Sequence, residues 1–310
     1  MGQIMTHLWK KPSWPSFNWS SSELLEPLTQ ARFSQGRVLA LKNPFVHSHE
    51  VSEQTQSLYE DLLTPSPLSV ERLNGWQASL YPTGYSGVKK IKIGQWRTTD
   101  RLVAGARNAH AVEASSIDSN FSLFVSWWHE PAVDLDPLVR SALTFFWFIA
   151  LSPYDDGNYA LACALAELAL QENEKSVARL YDISLQLEEN RSLVVEKLIQ
   201  AQLGNGDLTE WIIFYLELHQ QATGSAYAIA EQDNNESAFW KSISQHDLNS
   251  RQRLVLKHMY DSKAESISNR EYVDLTKTSR ESAKRDLKSL VQAGVLRQPA
   301  SKGRSVKYRI

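Results

Sequence analysis

The segment Ser152-Pro153-Tyr154-Asp155-Asp156-Gly157-Asn158 lies between two apolar helical patterns and delivers an acidic, glycine-containing turn to a helix start. Backbone N–H groups at such a helix N-terminus form a cradle for a phosphate. The same residue types also serve as ordinary turn and cap residues, so composition alone leaves phosphate binding and plain capping both open.

A second kind of chemistry is written near the C-terminus. Between Ser279 and Ala293, Arg280, Lys284, Arg285 and Lys288 recur at three- to five-residue intervals while Leu287, Leu290 and Val291 can serve a core. A helix of that pattern suits a DNA groove, with Ser279, Arg280 and Ser282 near the end that meets base edges. Lys302, Arg304 and Lys307 could then reach phosphates from an adjoining hairpin. Docking of this basic module on the acidic body of the chain or on a second subunit is the rival reading.

Other constellations are weaker. His47 and His49 alternate beside Glu50 without a convincing third metal ligand, and Cys163, the lone cysteine, sits where a small buried thiol is commoner than a nucleophile. A single cysteine forms no internal disulfide, and no Cys/His spacing fits zinc.

The elements that position these residues follow from periodicity and punctuation. An aromatic strap (Trp9, Trp14, Phe17, Trp19) precedes a helix capped by Ser21 or Ser22, a second helix is expected over Glu50 to Leu63, and Thr64-Pro65-Ser66-Pro67 ends it. Ser69 to Tyr81 reads as a short helix, and Gly84 to Ala114 as hairpin strands. Helical spacing then dominates: Ile117 to His129, Leu135 to Leu151, Gly157 to Glu172, Val177 to Leu203 and Asp207 to Ala230. Asp233-Asn234-Asn235-Glu236 reads as a linker. Beyond it come helices from Asn249 to Asp261, from the Ser268 cap to Leu275 and from Ser279 to Ala293. Two strand-like runs, Val295 to Arg297 and Val306 to Ile310, follow and make a winged helix-turn-helix pattern.

The charge divides along the same line. The chain carries a net −2, yet Leu248 to Ile310 holds 15 Lys/Arg against 6 Asp/Glu, a net of +9 that leaves −11 on positions 1–247. Such halves attract one another or serve different partners. The longest apolar run, Leu143 to Leu151, is about half the roughly 20 residues a bilayer crossing requires. With no secretory-type N-terminus either, the expectation is a cytoplasmic protein without a membrane span.

The turn segment resembles the motif of the Fic family, His-Pro-Phe-x-Asp/Glu-Gly-Asn-Gly-Arg-x-x-Arg: Pro153, Asp156, Gly157 and Asn158 match, and Tyr154 is close to Phe. Trp14-Pro15-Ser16-Phe17-Asn18-Trp19, Ala31-Arg32 and Gln35-Gly36-Arg37 are similar to the helical extension of one subgroup. Gly75-Trp76, Tyr81 to Gly87 and Gly94-Gln95-Trp96-Arg97 resemble the approach to that family's flap hairpin, and a C-terminal winged helix is the subgroup's usual companion. The resemblance implies a mainly α fold: a Fic-like helical bundle with a β-hairpin flap and a winged helix-turn-helix domain. The expected division is an N-terminal extension (1–70), a Fic-like core (71–232), a linker (233–247) and the last domain (248–310).

It also implies transfer of AMP from ATP to a protein hydroxyl, in which a histidine takes the proton, an acid holds magnesium and arginines steady the phosphates. Position by position, this sequence departs from that pattern. The base is replaced by Ser152, the phosphate-admitting glycine by Tyr159, and the two arginines by Ala160 and Cys163; Asp156 (the magnesium position), Gly157 and Asn158 remain. The subgroup's inhibitory Ser/Thr-x-x-x-Glu-Gly/Asn motif is missing between Glu50 and Leu68. The resulting expectation is a pseudoenzyme acting as a regulator or scaffold, with DNA as a partner of its last domain and no assured cofactor; ATP with magnesium belongs to the site only if nucleotide still enters. Two alternatives stand beside it: an active protein adenylyltransferase with a non-standard site, and a partner subunit of an active relative or of a second copy.

Overall fold

The first helix, α1 (Ser21–Leu39), is capped one residue earlier than the sequence suggests. Ser20, in an extended conformation, accepts the Glu23 N–H at 3.4 Å, because it is the last residue outside the helix with a hydroxyl in reach of that orphan donor. α1 continues through Pro27 and Gly36 while burying Leu24, Ala31, Gln35 and Val38. Burial of this stripe outweighs the local cost of a proline inside a helix, about 3 kcal/mol. The computed structural model describes residues 7–41, 58, 60–62, 64, 66–103, 109–130, 135–174, 180–244, 246–297 and 306–309. Most of the helix expected over 50–63, and His47, His49 and Glu50, lie outside them.

α2 (Val70–Leu80) starts at Ser69, whose hydroxyl accepts the Arg72 N–H at 3.1 Å. The hairpin that follows is small: β1 (Tyr85–Ser86) pairs antiparallel with β2 (Lys89–Lys90) around Gly87-Val88. The strands expected as far as Ala114 are otherwise reduced, among the described residues, to one bridge between Leu102 and His110. Two-stranded pairs are marginal by themselves, and side-chain bonds anchor this stretch instead.

The core is built on α3 (Ile117–His129), α4 (Pro137–Leu151) and α5 (Asn158–Glu174). Asp136 caps α4 through the Leu138 N–H at 2.8 Å, and every residue of α4 except Pro137 and Arg140 is buried. α5 packs along α4, and Phe145 of α4 stacks on Trp211 with ring centres 5.8 Å apart. The single helix expected over Val177 to Leu203 is two, α6 (Ile183–Glu189) and α7 (Arg191–Gln202), with 177–179 outside the described residues. Asn190 makes the break, leaving helical geometry and donating its side-chain amide to the Gln186 carbonyl at 2.9 Å.

The chain divides into two compact units, Met1–Ala230 and Glu231–Ile310. α8 (Thr209–Ile243) runs on through the polar segment expected as a linker. In the second unit Phe239, Trp240 and Ile243 join that unit's own core, so the Asp233 to Glu236 stretch is helix and the boundary falls a few residues earlier. α9 (Ser250–Asp261) and α10 (Asn269–Thr276) each begin with a capping box, Asn249 with Gln252 and Ser268 with Glu271. α11 (Arg280–Gln292) follows, capped by Ser279.

Between α9 and α10 lies β3 (Ser266–Ser268), which pairs antiparallel with β4 (Lys307–Arg309), Ile267 opposite Tyr308. Of the expected hairpin between 295–297 and 306–310, the described residues show an antiparallel bridge between Arg297 and Arg309, with 298–305 and 310 outside them. β4 therefore finds its ladder with a strand early in the unit, a long-range pairing that local turn chemistry does not announce. No helix of the described residues is long and apolar enough to cross a membrane.

Candidate functional site

α4 stops at Leu151, and residues 152–157 turn the chain into α5. Ser152 makes the stop: it adopts the left-handed conformation (φ 38°, ψ 61°), and its N–H bonds the Phe148 carbonyl at 2.8 Å. For a non-glycine residue that conformation costs roughly 1–2 kcal/mol. Its hydroxyl, buried, donates to the Ile149 carbonyl at 2.6 Å. The side chain at the position that resemblance gives to a proton acceptor is thus engaged as a helix cap.

Arg97, only 2% exposed, holds the turn from the opposite side. Its Nε donates to the Ser152 carbonyl at 2.8 Å, one Nη to Thr99 O at 2.9 Å, and the other to the carbonyls of Val112 and Leu151. Its own backbone N–H bonds Pro153 O at 2.8 Å. Burial pulls the guanidinium down to about 10, still cationic at neutral pH. Arg101 continues the clamp by donating to the carbonyls of Tyr154 (2.8 Å) and Asp155 (2.7 Å).

Within the turn, Asn158 closes a pair of hydrogen bonds with the Tyr154 backbone, accepting at 2.9 Å and donating at 2.8 Å. The Tyr154 ring packs on Trp96, and its hydroxyl reaches Asn74 Oδ1 at 2.9 Å. Asp155 accepts the Lys92 N–H at 3.0 Å, which ties the segment after β2 to the turn.

Asp156 is held at both oxygens: Oδ1 accepts the Gly157 N–H at 2.8 Å, and Oδ2 accepts the Ser86 hydroxyl of β1. Tyr81 lies alongside; burial and the Asp156 charge push its phenol up to about 12. Gly157 has φ +88°, and a Cβ there would come within 2.9 Å of Tyr81 Cε2. Here a glycine is required by both conformation and space.

Tyr159 opens α5 from a buried position. Its hydroxyl donates to the Leu187 carbonyl at 2.6 Å, and the Arg191 guanidinium lies over its ring 4.3 Å from the centroid. Ala160 is half-buried beside it. Cys163 is buried, and desolvation, reinforced by the Glu188 and Glu167 charges, raises its thiol well above the ordinary value. That environment disfavours the thiolate, the nucleophilic form. Among the described residues no group of three or more His, Cys, Asp or Glu could hold a metal ion.

The turn therefore gathers Ser152, Asp156, Gly157, Asn158 and Tyr159, with Ala160 and Cys163 following on α5. Sequence reasoning gave no role to Ser86, Arg97 or Arg101. Arg97 lies within Gly94-Gln95-Trp96-Arg97, but its acceptors are backbone carbonyls, which carry no side-chain signature.

The second unit presents different chemistry. Arg280, Lys284, Arg285 and Lys288 are all exposed on α11. At 100° per residue they span about 140° of the helix surface. None forms an ion pair among the described residues, in contrast to Asp286 on the buried side. Asp286 accepts from Arg251 Nε at 2.8 Å, from Asn249 at 3.0 Å and from the Tyr272 hydroxyl at 3.0 Å. Burial opposes its ionisation, yet the hydrogen bonds from Arg251, Asn249 and Tyr272 outweigh it and hold the carboxyl below the ordinary range. This knot joins the start of α9, α10 and α11, fixing where the basic face points.

Ser279 accepts the Ser282 N–H at 3.1 Å as the α11 cap, and Lys307 is exposed on β4. Lys302 and Arg304 lie outside the described residues.

Residues 7–79 match a family model described as a domain of unknown function (DUF4172). No curated protein matches the chain. Among solved structures, a Fic family protein from Desulfovibrio desulfuricans G20 is similar at 13% identity, over 93% of this chain and 86% of that one, with a TM-score of 0.50. Fic-1 from C. elegans matches at 14% identity over 72% and 69% with a TM-score of 0.46. A Fic domain containing signaling protein from Bacteroides thetaiotaomicron VPI-5482 matches at 15% over 70% and 91% with a TM-score of 0.45. The likeness to the Desulfovibrio protein is one of fold: the chain has a mainly helical, Fic-like fold with a small β-hairpin.

Proposed function

We propose that this chain is a catalytically degenerate Fic-fold protein that acts as a regulator or scaffold, with a winged-helix unit that binds DNA. The observation that carries the first half is the internal engagement of Asp156. Both of its oxygens already accept hydrogen bonds, from Gly157 and Ser86, and Tyr159, Ala160 and Cys163 supply no cation where the resemblance places glycine and arginines. Those three positions offer a phosphate no bidentate donor, and a general base, worth about 10²- to 10⁴-fold, is absent at Ser152. These residues fit a nucleotide with magnesium poorly.

Calorimetry with ATP and magnesium, and then with other nucleotides, tests this half. The expected outcome is no measurable heat of binding; incorporation of label from ATP that disappears in Asp156→Ala would establish the rival, an active nucleotidyltransferase, which the retained Asp156-Gly157-Asn158 run favours.

The second half is supported by the unpaired cationic face of α11 and the exposed Lys307. A helix bearing cations on its outer arc suits the major groove of duplex DNA, where such side chains can reach phosphates. An electrophoretic shift with the full chain at low salt is the test, and unchanged mobility of every duplex tried would remove DNA from this reading. Constitutive co-purification with an active relative would instead favour a partner subunit.

A further inference from the structure

The aromatic strap leaves a slot between itself and the core. Pro15, Phe17 and Trp19 form one wall, α3 presents Leu123, Trp127 and Glu130 as the other, and Leu143 and Trp147 of α4 make the floor. The slot encloses about 370 Å³, within the roughly 300–1,000 Å³ of ordinary ligand sites. Leu123 is 48% exposed and Trp19 and Trp127 are half-buried, so the apolar surface is open to solvent.

Three features narrow what would fill it. First, the walls are aromatic and rigid: Phe17 meets Trp147 edge-on at 5.5 Å and Trp127 meets Trp147 at 5.4 Å, so the ridges hold their spacing. Second, the indole N–H groups of Trp19 and Trp127 have no hydrogen-bond partner among the described residues. Third, among the described residues the only charged side chain lining the slot is Glu130, at its exposed edge.

A helical ligand satisfies its own backbone and makes no use of free indole donors. A polyproline II segment has no internal hydrogen bonds, exposes its carbonyls, and packs its pyrrolidine rings between aromatic ridges. The carboxylate at the edge selects a cation at one end of such a segment.

We propose that this slot is a docking site for a proline-rich peptide segment of a partner protein bearing an Arg or Lys beside its prolines. The prolines enter between Phe17, Trp19 and Trp127, indole N–H groups donate to the peptide carbonyls, and Glu130 pairs with the cation. The proposal is independent of nucleotide and DNA binding, and gives the first unit a recognition role of its own.

The test is selection of a random peptide library of about twelve residues, long enough to cross the slot at 3.1 Å per residue in this conformation, on the full-length protein. Trp127→Ala protein serves for counter-selection and Glu130→Lys as a second variant at an exposed position; near-wild-type melting shows that each is folded. The expected result is enrichment of sequences with paired prolines and an adjacent basic residue. Affinity should fall at least about tenfold in Trp127→Ala, and in Glu130→Lys about fivefold for the basic peptide only, the proportions expected of a central aromatic anchor and a rim charge. Enrichment of proline-free or helical sequences, equal enrichment on the Trp127→Ala protein, or no enrichment at all overturns it.

Discussion

Arg97 Nε donates to the carbonyl of Ser152 across 2.8 Å, so a buried cation from the segment after the hairpin fixes the residue at which α4 ends. The turn that carries the candidate site is therefore shaped from outside itself.

Replacing Arg97 with Leu should destabilise the first unit by about 3–5 kcal/mol. The substitution strands buried carbonyls of Leu151, Ser152 and Val112, and each lost bond to a charged donor counts for roughly 1.5–3 kcal/mol before relaxation. Urea unfolding followed by tryptophan fluorescence reads this directly; a change below about 1 kcal/mol would mean that water replaces the guanidinium.

Gly157→Ala combines a disfavoured φ with a Cβ 2.9 Å from the Tyr81 ring. The expected cost is about 1–3 kcal/mol. Tyr81→Ala should recover only the steric share, leaving a conformational remainder of roughly 1 kcal/mol in a double-mutant cycle.

His219 supplies a pH dependence. It is fully buried among Tyr181, Glu174 and Gln35, with Nε2 3.1 Å from the Tyr181 hydroxyl and Nδ1 unpartnered among the described residues. Burial, with a smaller contribution from Arg32, pushes the imidazole down to about 3. The unfolded chain takes up that proton near pH 6.5 while the folded chain does not, so stability is full above pH 6.5 and falls below it by up to about 1.4 kcal/mol per pH unit. Denaturant melts between pH 7 and 4.5 should show that slope, and His219→Gln should flatten it.

On the basic face, Lys284→Ala and Lys288→Ala should weaken duplex binding almost uniformly across sequences and lower the slope of log K against log salt by about 0.9 each. Asp286→Asn separates contact from positioning: it leaves the cations in place but loosens the Arg251, Asn249 and Tyr272 knot, and should lower the thermal midpoint of the second unit together with its affinity.

Periodicity located α3, α4 and α5 closely, because their stripes are buried and the core enforces the same spacing that the sequence displays. It overran at Asn190, where a local side-chain bond ends α6, and stopped short at Ala230, where Phe239 and Trp240 are read as part of a polar linker until a second core is there to receive them. Strand pairing was the least legible part, since β4 joins β3 across the whole length of α10 and α11.

The sequence by itself determined the residue inventory of the turn: serine, tyrosine, alanine and cysteine where the resemblance places histidine, glycine and arginines, and a cationic C-terminal helix. Chemistry of that kind is a property of side-chain type and is fixed before folding. Only the tertiary structure decided that Asp156 is engaged by Ser86, that Arg97 holds Ser152 in a left-handed conformation, and that Trp19 and Trp127 face one slot. Those facts depend on distances between residues far apart in the chain, and such distances exist only once the core has closed.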